Sequence, residues 1–272
     1  MLIDGRSFAG NTIFKMLRPR HRDSPRLSPI VNRMQISLFV PCYVDQLFPG
    51  VAISTVRILE RLGHRVEFPG AQTCCGQPAF NSGYWQEARE VASRFVDLFA
   101  GAEAVVCPSG SCTTMVRHFF GELLQRDHLA SAATELASRT FELSEFLVQK
   151  LGVVDLAAAF KARVVWHDAC HGLRELHLKE EPRKLLRAVR GLELVEMREA
   201  ETCCGFGGTF SVKYPGISLA MDEVKVDSIA ETGADYVASG DSSCLMQISG
   251  LLHRRHPRVR TVHLAEILAS TA

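Results

Sequence analysis

The chain of 272 residues is long enough for one large domain or two small ones, and its 47% hydrophobic content is typical of a folded globular protein. A net charge of +1 argues against nucleic acid as a partner, and no apolar run reaches the ~18 residues of a transmembrane segment. Nine cysteines without a secretory signal favour metal or redox chemistry over disulfides, so we predict a cytoplasmic protein.

Residues 1–33 differ in composition from the rest of the chain. They are rich in Arg, Pro and Ser and show neither strand nor helix periodicity, which predicts a poorly structured N-terminal extension. Met34 is followed at once by the strand-like run "QISLFVP", so translation starting at Met34 is an alternative to a loose extension. We expect residues 1–33 to be dispensable for folding and for metal binding.

The first half after Met34 alternates strand and helix patterns. The strand-like runs are "ISLFVP", "HRVEF" and "AEAVVC". Between them lie two amphipathic patterns, "FPGVAISTVRILERLG" and "WQEAREVASRFVDLFAG", which predict helices that stop at Gly63 and Gly101. This alternation predicts a mostly parallel sheet flanked by helices.

The second half repeats the same order. Its strand-like runs are "RVVWHD", "LELVEM" and "ADYVAS", and its final "RTVHLAEIL" parallels "RTFELSEFL" of the first half. We therefore predict an α/β protein made of two tandem, pseudo-twofold-related repeats, each with a mostly parallel sheet flanked by helices. The first repeat is assigned to residues 34–150 and the second to residues 151–272.

Eight of the nine cysteines follow this repeat. In the first repeat a cysteine, an adjacent pair and a fourth cysteine are separated by 31 and 36 residues: Cys42, Cys74, Cys75 and Cys112. In the second repeat the separations are 32 and 39 residues: Cys170, Cys203, Cys204 and Cys244. Cys107 has Ser239 as its counterpart and falls outside the scheme. Right-handed crossovers bring strand ends to one sheet edge, so we expect each set of four to gather there.

Four gathered thiolates suit one [4Fe–4S] cluster in each repeat. Adjacent cysteine side chains diverge, which fits a cluster with several irons better than a single small ion. Glycines beside the pairs allow the backbone to approach a cluster closely and to donate N–H groups to its sulfides. The candidates for this supporting role are Gly76, Gly205, Gly207 and Gly208.

Two other chemistries compete with the cluster. Zinc bound by four thiolates usually draws on cysteines a few residues apart, and only the segment from Cys107 to Cys112 comes close to that spacing. Thiol–disulfide exchange within each Cys-Cys pair is the other alternative. Buried cysteines acting as small hydrophobes explain Cys107 but not the repeat.

Basic side chains near the second set are further candidates. His167 and His171 flank Cys170 and are candidates for hydrogen bonds to the cluster, for ligation or for proton transfer. Alternatively, His167 is a strand-end residue and His171 caps a helix. Arg174 and Lys213 follow the same loops and are candidates for balancing cluster charge, with solvated surface as the alternative.

The motifs "SLFVPCYVDQLFP", "QTCCGQPAFNSGY", "HDACHGLREL", "CCGFGGTFSVKYPGISLAM" and "SSCLMQISG" resemble the duplicated cysteine-rich CCG domain. Relatives with this domain include a subunit of heterodisulfide reductase and the iron–sulfur subunits of glycolate oxidase and anaerobic glycerol-3-phosphate dehydrogenase. A subunit of some succinate dehydrogenases belongs to the same family. The greatest resemblance is to the short form, the lactate utilization protein A (LutA/YkgE) family, because no ferredoxin-like Cys-x-x-Cys run is present.

This resemblance implies an iron–sulfur, electron-transfer subunit of a complex that oxidises L-lactate to pyruvate. It implies two partners, a larger ferredoxin-like iron–sulfur protein and a third subunit, so the chain is not expected to be catalytic alone. The alternatives are a non-catalytic, zinc-binding assembly subunit, or an iron–sulfur subunit of a related 2-hydroxy-acid (glycolate) oxidase or heterodisulfide-reductase-like complex.

The chain departs from the fuller CCG pattern at two positions. In that pattern each repeat ends in Cys-x-x-Cys, and the first of these cysteines is replaced here by Ser109 and Asp241. The departure favours a conventional four-cysteine [4Fe–4S] cube over the five-cysteine, non-cubane clusters of the heterodisulfide reductase relatives. We expect Asp241 to cap a helix that begins at about Ser243 rather than to bind iron.

Overall fold

The computed structural model describes residues 33–271. The predicted extension, residues 1–33, lies outside the described residues except for Arg33. Within the described part, two four-stranded parallel sheets follow one another along the chain and are flanked by helices, which confirms the predicted α/β fold. The strand orders are β2-β1-β3-β4 and β6-β5-β7-β8, so the strands of both halves are arranged in the same order.

Each sheet has its first strand near the centre. The strands of the first sheet are β1 (Gln35–Leu38), β2 (Arg65–Glu67), β3 (Ala104–Cys107) and β4 (Thr140–Glu142). Those of the second sheet are β5 (Ala159–Trp166), β6 (Arg190–Val195), β7 (Tyr236–Ser239) and β8 (Arg260–His263). All neighbouring strands pair in parallel, so every strand of a sheet ends at the same edge.

Helices connect the strands in both halves. In the first half they are α1 (Cys42–Leu47), α2 (Pro49–Arg61), α3 (Gln77–Asn81), α4 (Trp85–Phe99), α5 (Gly110–Thr114), α6 (Phe120–Leu124), α7 (Ala130–Ser138) and α8 (Leu143–Glu145). Two π-helical turns, Met115–Phe119 and Phe146–Lys150, continue α5 and α8. The second half has α9 (Cys170–Arg174), α10 (Glu180–Arg187), α11 (Phe210–Lys213), α12 (Pro215–Glu231), α13 (Ser242–Arg255) and α14 (Leu264–Ala269).

The fourth strand of each sheet was not predicted from the sequence. The sequence showed only that the two segments containing these strands, "RTFELSEFL" and "RTVHLAEIL", are similar to each other. Strands β4 and β8 are only three and four residues long and lead directly into a helix. Their last residues, Glu142 and His263, occupy equivalent positions and both cap the following helix in a reciprocal capping box. Short edge strands of this kind carry too few residues for a period-2 pattern to be visible.

One hydrophobic core is shared by both halves. It contains the inner faces of both sheets, including Ile36 and Leu38 of β1 and Val164 of β5, together with helices from each half. Helix α2 packs against α14, and Arg61 at the end of α2 donates a hydrogen bond of 2.6 Å to the carbonyl of Leu268. Because this core is continuous, the two repeats are held in a fixed relation that sequence periodicity alone does not specify.

Two further cores lie on the outer faces of the sheets, one in each half. The core of the first half is rich in aromatic residues: Phe39 contacts Phe95 and Phe99 at centroid distances of 4.7 and 6.0 Å. The described part of the chain contains no helix with the length and apolar character needed to cross a bilayer.

Candidate metal centre

The two sets of cysteines meet at a single cavity of about 100 Å³ between the halves. All eight cysteines of the repeat scheme line it: Cys42, Cys74, Cys75, Cys112, Cys170, Cys203, Cys204 and Cys244. Four come from each half, and none is in a disulfide. The predicted gathering at a strand-end edge therefore occurs in both halves, and the two edges face each other.

In the first half, the four cysteines follow the ends of three strands, as predicted. Cys42 begins α1 after β1, the adjacent pair lies in the loop after β2, and Cys112 lies in α5 after β3. The sulfurs of Cys42 and Cys74 are 3.8 Å apart, and the backbone N–H of Gly76 donates to the Cys74 sulfur at 3.4 Å. Cys75 is buried and interacts with both Cys74 and Cys112.

The second half repeats this arrangement around its own four sulfurs. Cys170 begins α9, and the backbone N–H of Gly205 donates to the Cys203 sulfur at 3.4 Å, as Gly76 does in the first half. Cys204 is 2% exposed and interacts with Cys203 and Cys244. The equivalent glycines both have positive φ, +85° for Gly76 and +84° for Gly205, which glycine adopts readily.

Because the sulfurs of each set are packed closely, the pKa values of their thiols differ from one another. Hydrogen bonds from Cys42 and Cys75 hold the pKa of Cys74 well below that of an ordinary thiol, at about 3. Cys170 and Cys204 act in the same way on Cys203 and lower its pKa. One sulfur of each set is therefore a ready thiolate, the form in which cysteine binds metal.

His167 lies beside the second set only. It is fully buried, and neither of its ring nitrogens has a hydrogen-bond partner among the described residues. One ligand atom each from His167, Cys204 and Cys244 lies within 4.8 Å of the others. Burial, with the positive charge of Lys225, lowers the pKa of His167 to about 3, so the imidazole is neutral and able to donate or to ligate.

The other basic candidates are placed differently. His171 lines the cavity and its Nδ1 lies 3.3 Å from a carboxylate oxygen of Glu175, one turn along α9. It does not cap that helix, because the N-cap position belongs to Ala169. Arg174 and Lys213 are both exposed, which agrees with the solvated-surface alternative.

The two glycines that follow Phe206 lie in a loop at the cavity. Gly207 and Gly208 line the cavity directly, whereas Gly76 and Gly205 contribute through their N–H groups. Phe206 packs edge-on against Tyr43 of the first half at a centroid distance of 5.5 Å. The glycine-rich loop of the second repeat thus borders the cavity that both sets of cysteines line.

Ser109 and Asp241, the two departures from Cys-x-x-Cys, are both helix N-caps. Ser109 accepts a hydrogen bond from the N–H of Cys112 at 3.3 Å, and Asp241 accepts one from Ser243 at 3.2 Å. The predicted capping role of Asp241 is therefore confirmed. Asp241 also accepts from the Ser109 hydroxyl at 3.2 Å and from the N–H of Ser111 at 3.0 Å, which joins the two halves beneath the cysteines.

Cys107 stands apart from both sets. It ends β3, is fully buried in the outer core of the first half, and does not line the cavity. Its thiol contacts the carbonyl oxygen of Ser109 at 3.7 Å. Burial, reinforced by the neighbouring charge of Cys112, raises its pKa, so the thiol form is favoured.

A buried ion pair near the second set was not predicted from sequence. Asp168 and Arg183 form a two-pronged pair, with N–O distances of 2.8 and 2.7 Å, and Trp166 donates to the same carboxylate. This pair anchors the segment that leads into Cys170. A buried ion pair so arranged is costly to break, because the remaining charge is left without its partner.

Lys225 is the other residue that sequence reasoning missed. It lies on α12, is fully buried, and donates to the backbone carbonyls of Glu199 and Ala200, the latter at 3.1 Å. Burial lowers its pKa to about 8. A signal existed in the sequence: Lys225 follows Asp222 by three residues and precedes Ile229 by four, which places all three on the buried stripe of one helix.

Comparison with known proteins agrees with the duplication. The cysteine-rich domain family (CCG) matches the chain twice, over residues 36–117 and 164–249. Lactate utilization protein A of Bacillus subtilis (strain 168) is 46% identical over 238 residues, 87% of this chain and 100% of the relative. Lactate utilization protein A of Oceanobacillus iheyensis is 46% identical over 235 residues, 86% of this chain and 96% of the relative.

Among solved structures, a hypothetical protein from Helicobacter pylori has a similar fold. Its TM-score is 0.59 at 11% sequence identity, and the match covers 94% of this chain and 52% of that chain. At this level of identity the similarity concerns the fold alone. The cysteine sites and the sequence relatives are what bear on function.

Proposed function

Because the chain belongs to the cysteine-rich (CCG) domain family, and within it to the lactate utilization protein A family, we propose that it is the iron–sulfur electron-transfer subunit of an L-lactate-oxidising complex. One observation carries this proposal. Eight thiols, four from each half, line one cavity between the halves. Packing alone does not explain eight partly or fully buried thiols in one place, because small apolar residues would fill the same space equally well.

The donor set fits an iron–sulfur cluster in each half. Thiolates are the preferred ligands of such clusters, and each half supplies four of them from three successive strand ends. The N–H groups of Gly76 and Gly205 already point at sulfur, and the buried nitrogens of His167 have no partner among the described residues. When bound, an iron–sulfur cluster accepts and releases one electron at a time.

We further propose that each half holds a four-cysteine cube. A fifth ligand at the position of Ser109 or Asp241 would require that side chain to leave its helix N-cap and the hydrogen bonds that join the halves. A serine hydroxyl and a carboxylate are also harder ligands than thiolate and suit iron–sulfur clusters less well. The N-cap geometry therefore supports the cubane assignment.

A second candidate function is a zinc-stabilised assembly subunit. The observation that favours it is the group formed by His167, Cys204 and Cys244, since nitrogen and sulfur ligands at such separations suit zinc. It applies to the second half only. Phe39 stands in the first half where His167 stands in the second, three residues before the first cysteine of its set.

Purification under anaerobic conditions separates these two functions. We expect a brown protein with about four iron and four acid-labile sulfide per occupied half. On one-electron reduction, we expect an EPR spectrum typical of a four-thiolate cube. A colourless protein with zinc and no sulfide contradicts the proposal and supports the alternative, and a spectrum typical of a five-cysteine, non-cubane cluster contradicts the cubane assignment.

The isolated chain is expected not to oxidise lactate. Conversion of lactate to pyruvate removes two electrons and two protons, whereas the proposed sites supply one-electron chemistry and no hydride acceptor. We therefore expect lactate-dependent dye reduction only after the partner subunits are added, a larger ferredoxin-like iron–sulfur protein and a third subunit. Turnover by the pure chain with intact clusters contradicts its assignment as an electron-transfer subunit.

A further inference from the structure

The two cysteine sets have different surroundings although the halves share one fold. Behind the first set lies the aromatic cluster of Phe39, Phe95 and Phe99. In the described part of the first half, no lysine or arginine side chain is buried. Behind the second set lie two buried basic residues, His167 and Lys225. The two halves therefore have equivalent cysteines, but among the described residues only the second half has buried basic side chains behind them.

Lys225 is costly to keep where it is. A fully buried ammonium loses its hydration, which is unfavourable unless negative groups or hydrogen-bond acceptors compensate. The carbonyls of Glu199 and Ala200 offset part of this cost. They belong to the loop that leads into Cys203, so the same hydrogen bonds hold that loop in position.

The nearby carboxylates supply only part of the missing negative charge: Asp168 and Glu199 attract the Lys225 ammonium, but less strongly than Cys204 and Cys244 do. Asp168 is fully engaged by Arg183. Asp222, one turn before Lys225 on α12, interacts more strongly with the charges of Arg254 and Arg255 than with Lys225.

The sulfurs of Cys204 and Cys244 are therefore the stronger negative partners of Lys225. The geometry agrees, because the Lys225 ammonium donates to the carbonyls of Glu199 and Ala200, three to four residues before Cys203 in the same loop. Four thiolates that held a cluster would add negative charge to a site that already attracts the ammonium.

We propose that Lys225 is a charge-compensating, positioning residue for the second cysteine set, and that it makes the second site more easily reduced than the first. The inference rests on the proposed iron–sulfur function. A fixed positive charge in a low-dielectric interior stabilises the more negative, reduced state of a nearby centre. The first site has an apolar surround in place of this charge and therefore has the lower reduction potential.

The test is a redox titration of the full chain followed by EPR, with three variants compared with the unchanged protein. Lys225→Met removes the buried charge and keeps much of the side-chain volume. Lys225→Arg keeps the charge. Lys213→Met is the matched control, because it removes one positive charge from the exposed surface of the same repeat. A Cys75→Ala variant, which lacks a ligand of the first site, assigns the two signals.

We expect two midpoint potentials in the unchanged protein, with the higher one assigned to the second site. Lys225→Met should shift that higher potential downwards and leave the lower one in place. Lys225→Arg and Lys213→Met should leave both potentials close to their original values. An unchanged higher potential in Lys225→Met, or an equal shift in Lys213→Met, overturns the proposal.

Loss of iron from the second site of Lys225→Met is also informative. If Lys225→Arg then retains iron and a potential near that of the unchanged protein, charge is what the site requires, and the proposal is supported. If Lys225→Arg loses iron as well, the residue acts through its shape and the proposal is overturned. A failure of the proposed iron–sulfur function is distinguishable from a failure of this inference, because the unchanged protein would then contain neither iron nor labile sulfide.

Discussion

Cys204→Ala is expected to lose about half of the iron of the protein, all of it from the second half, because three thiolates remain where a cube needs four. Cys204 is buried and interacts with Cys203 and Cys244, so water does not reach the position of its sulfur easily. Cys75→Ala should produce the equivalent loss from the first half. Iron and sulfide content, measured anaerobically against protein concentration, checks both variants.

Cys107→Ala is the matched control for this series. Cys107 is as buried as Cys75 and lies in the same outer core, but it does not line the cavity. Its replacement should leave iron content unchanged, while removal of one small side chain lowers stability by about 1 kcal/mol. If Cys107→Ala alone removes iron from the first half, that site uses five cysteines and the assignment of ligands is wrong.

Gly205→Ala is expected to destabilise the protein by about 3 kcal/mol, from positive φ and from overpacking together. Gly205 has φ +84°, and a Cβ atom there would lie 2.5 Å from the backbone carbonyl oxygen of Ser218 on α12. Relief requires the loop or the helix to move, and the N–H that Gly205 donates to Cys203 moves with it. The free energy of unfolding, obtained by chemical denaturation, measures this loss.

Gly83→Ala separates the two causes. Gly83 has the same φ, +84°, but a Cβ atom there meets nothing within 4 Å. Its replacement should therefore cost only the conformational term, about 1 kcal/mol. Gly76→Ala, the equivalent of Gly205 in the first half, should fall between them, since its nearest contact is 3.4 Å. Equal losses for Gly205→Ala and Gly83→Ala would show that the contact with Ser218 is relieved without cost.

The repeated part of the architecture was readable from the amino-acid sequence. The spacing of the cysteines revealed the duplication, and short apolar runs alternating with amphipathic segments indicated parallel sheets with flanking helices. Helix boundaries such as the stop before Gly63 and the N-cap at Asp241 were also predictable. The helix boundaries follow from local chemistry, in which a residue and its neighbours within a few positions decide backbone conformation, and the duplication follows from a pattern that recurs along the chain.

How the two halves meet depends on tertiary packing and was not predictable. The shared core is formed by side chains far apart in sequence, such as Ile36 and Val164, and their packing makes two separate sheet edges enclose one cavity. The same applies to the difference between the sites. Helical spacing places Lys225 on a buried stripe, but only the packing of α12 in the outer core of the second half brings its ammonium to the loop that leads into Cys203. Local rules act over a few residues, whereas burial and charge proximity depend on the folded whole.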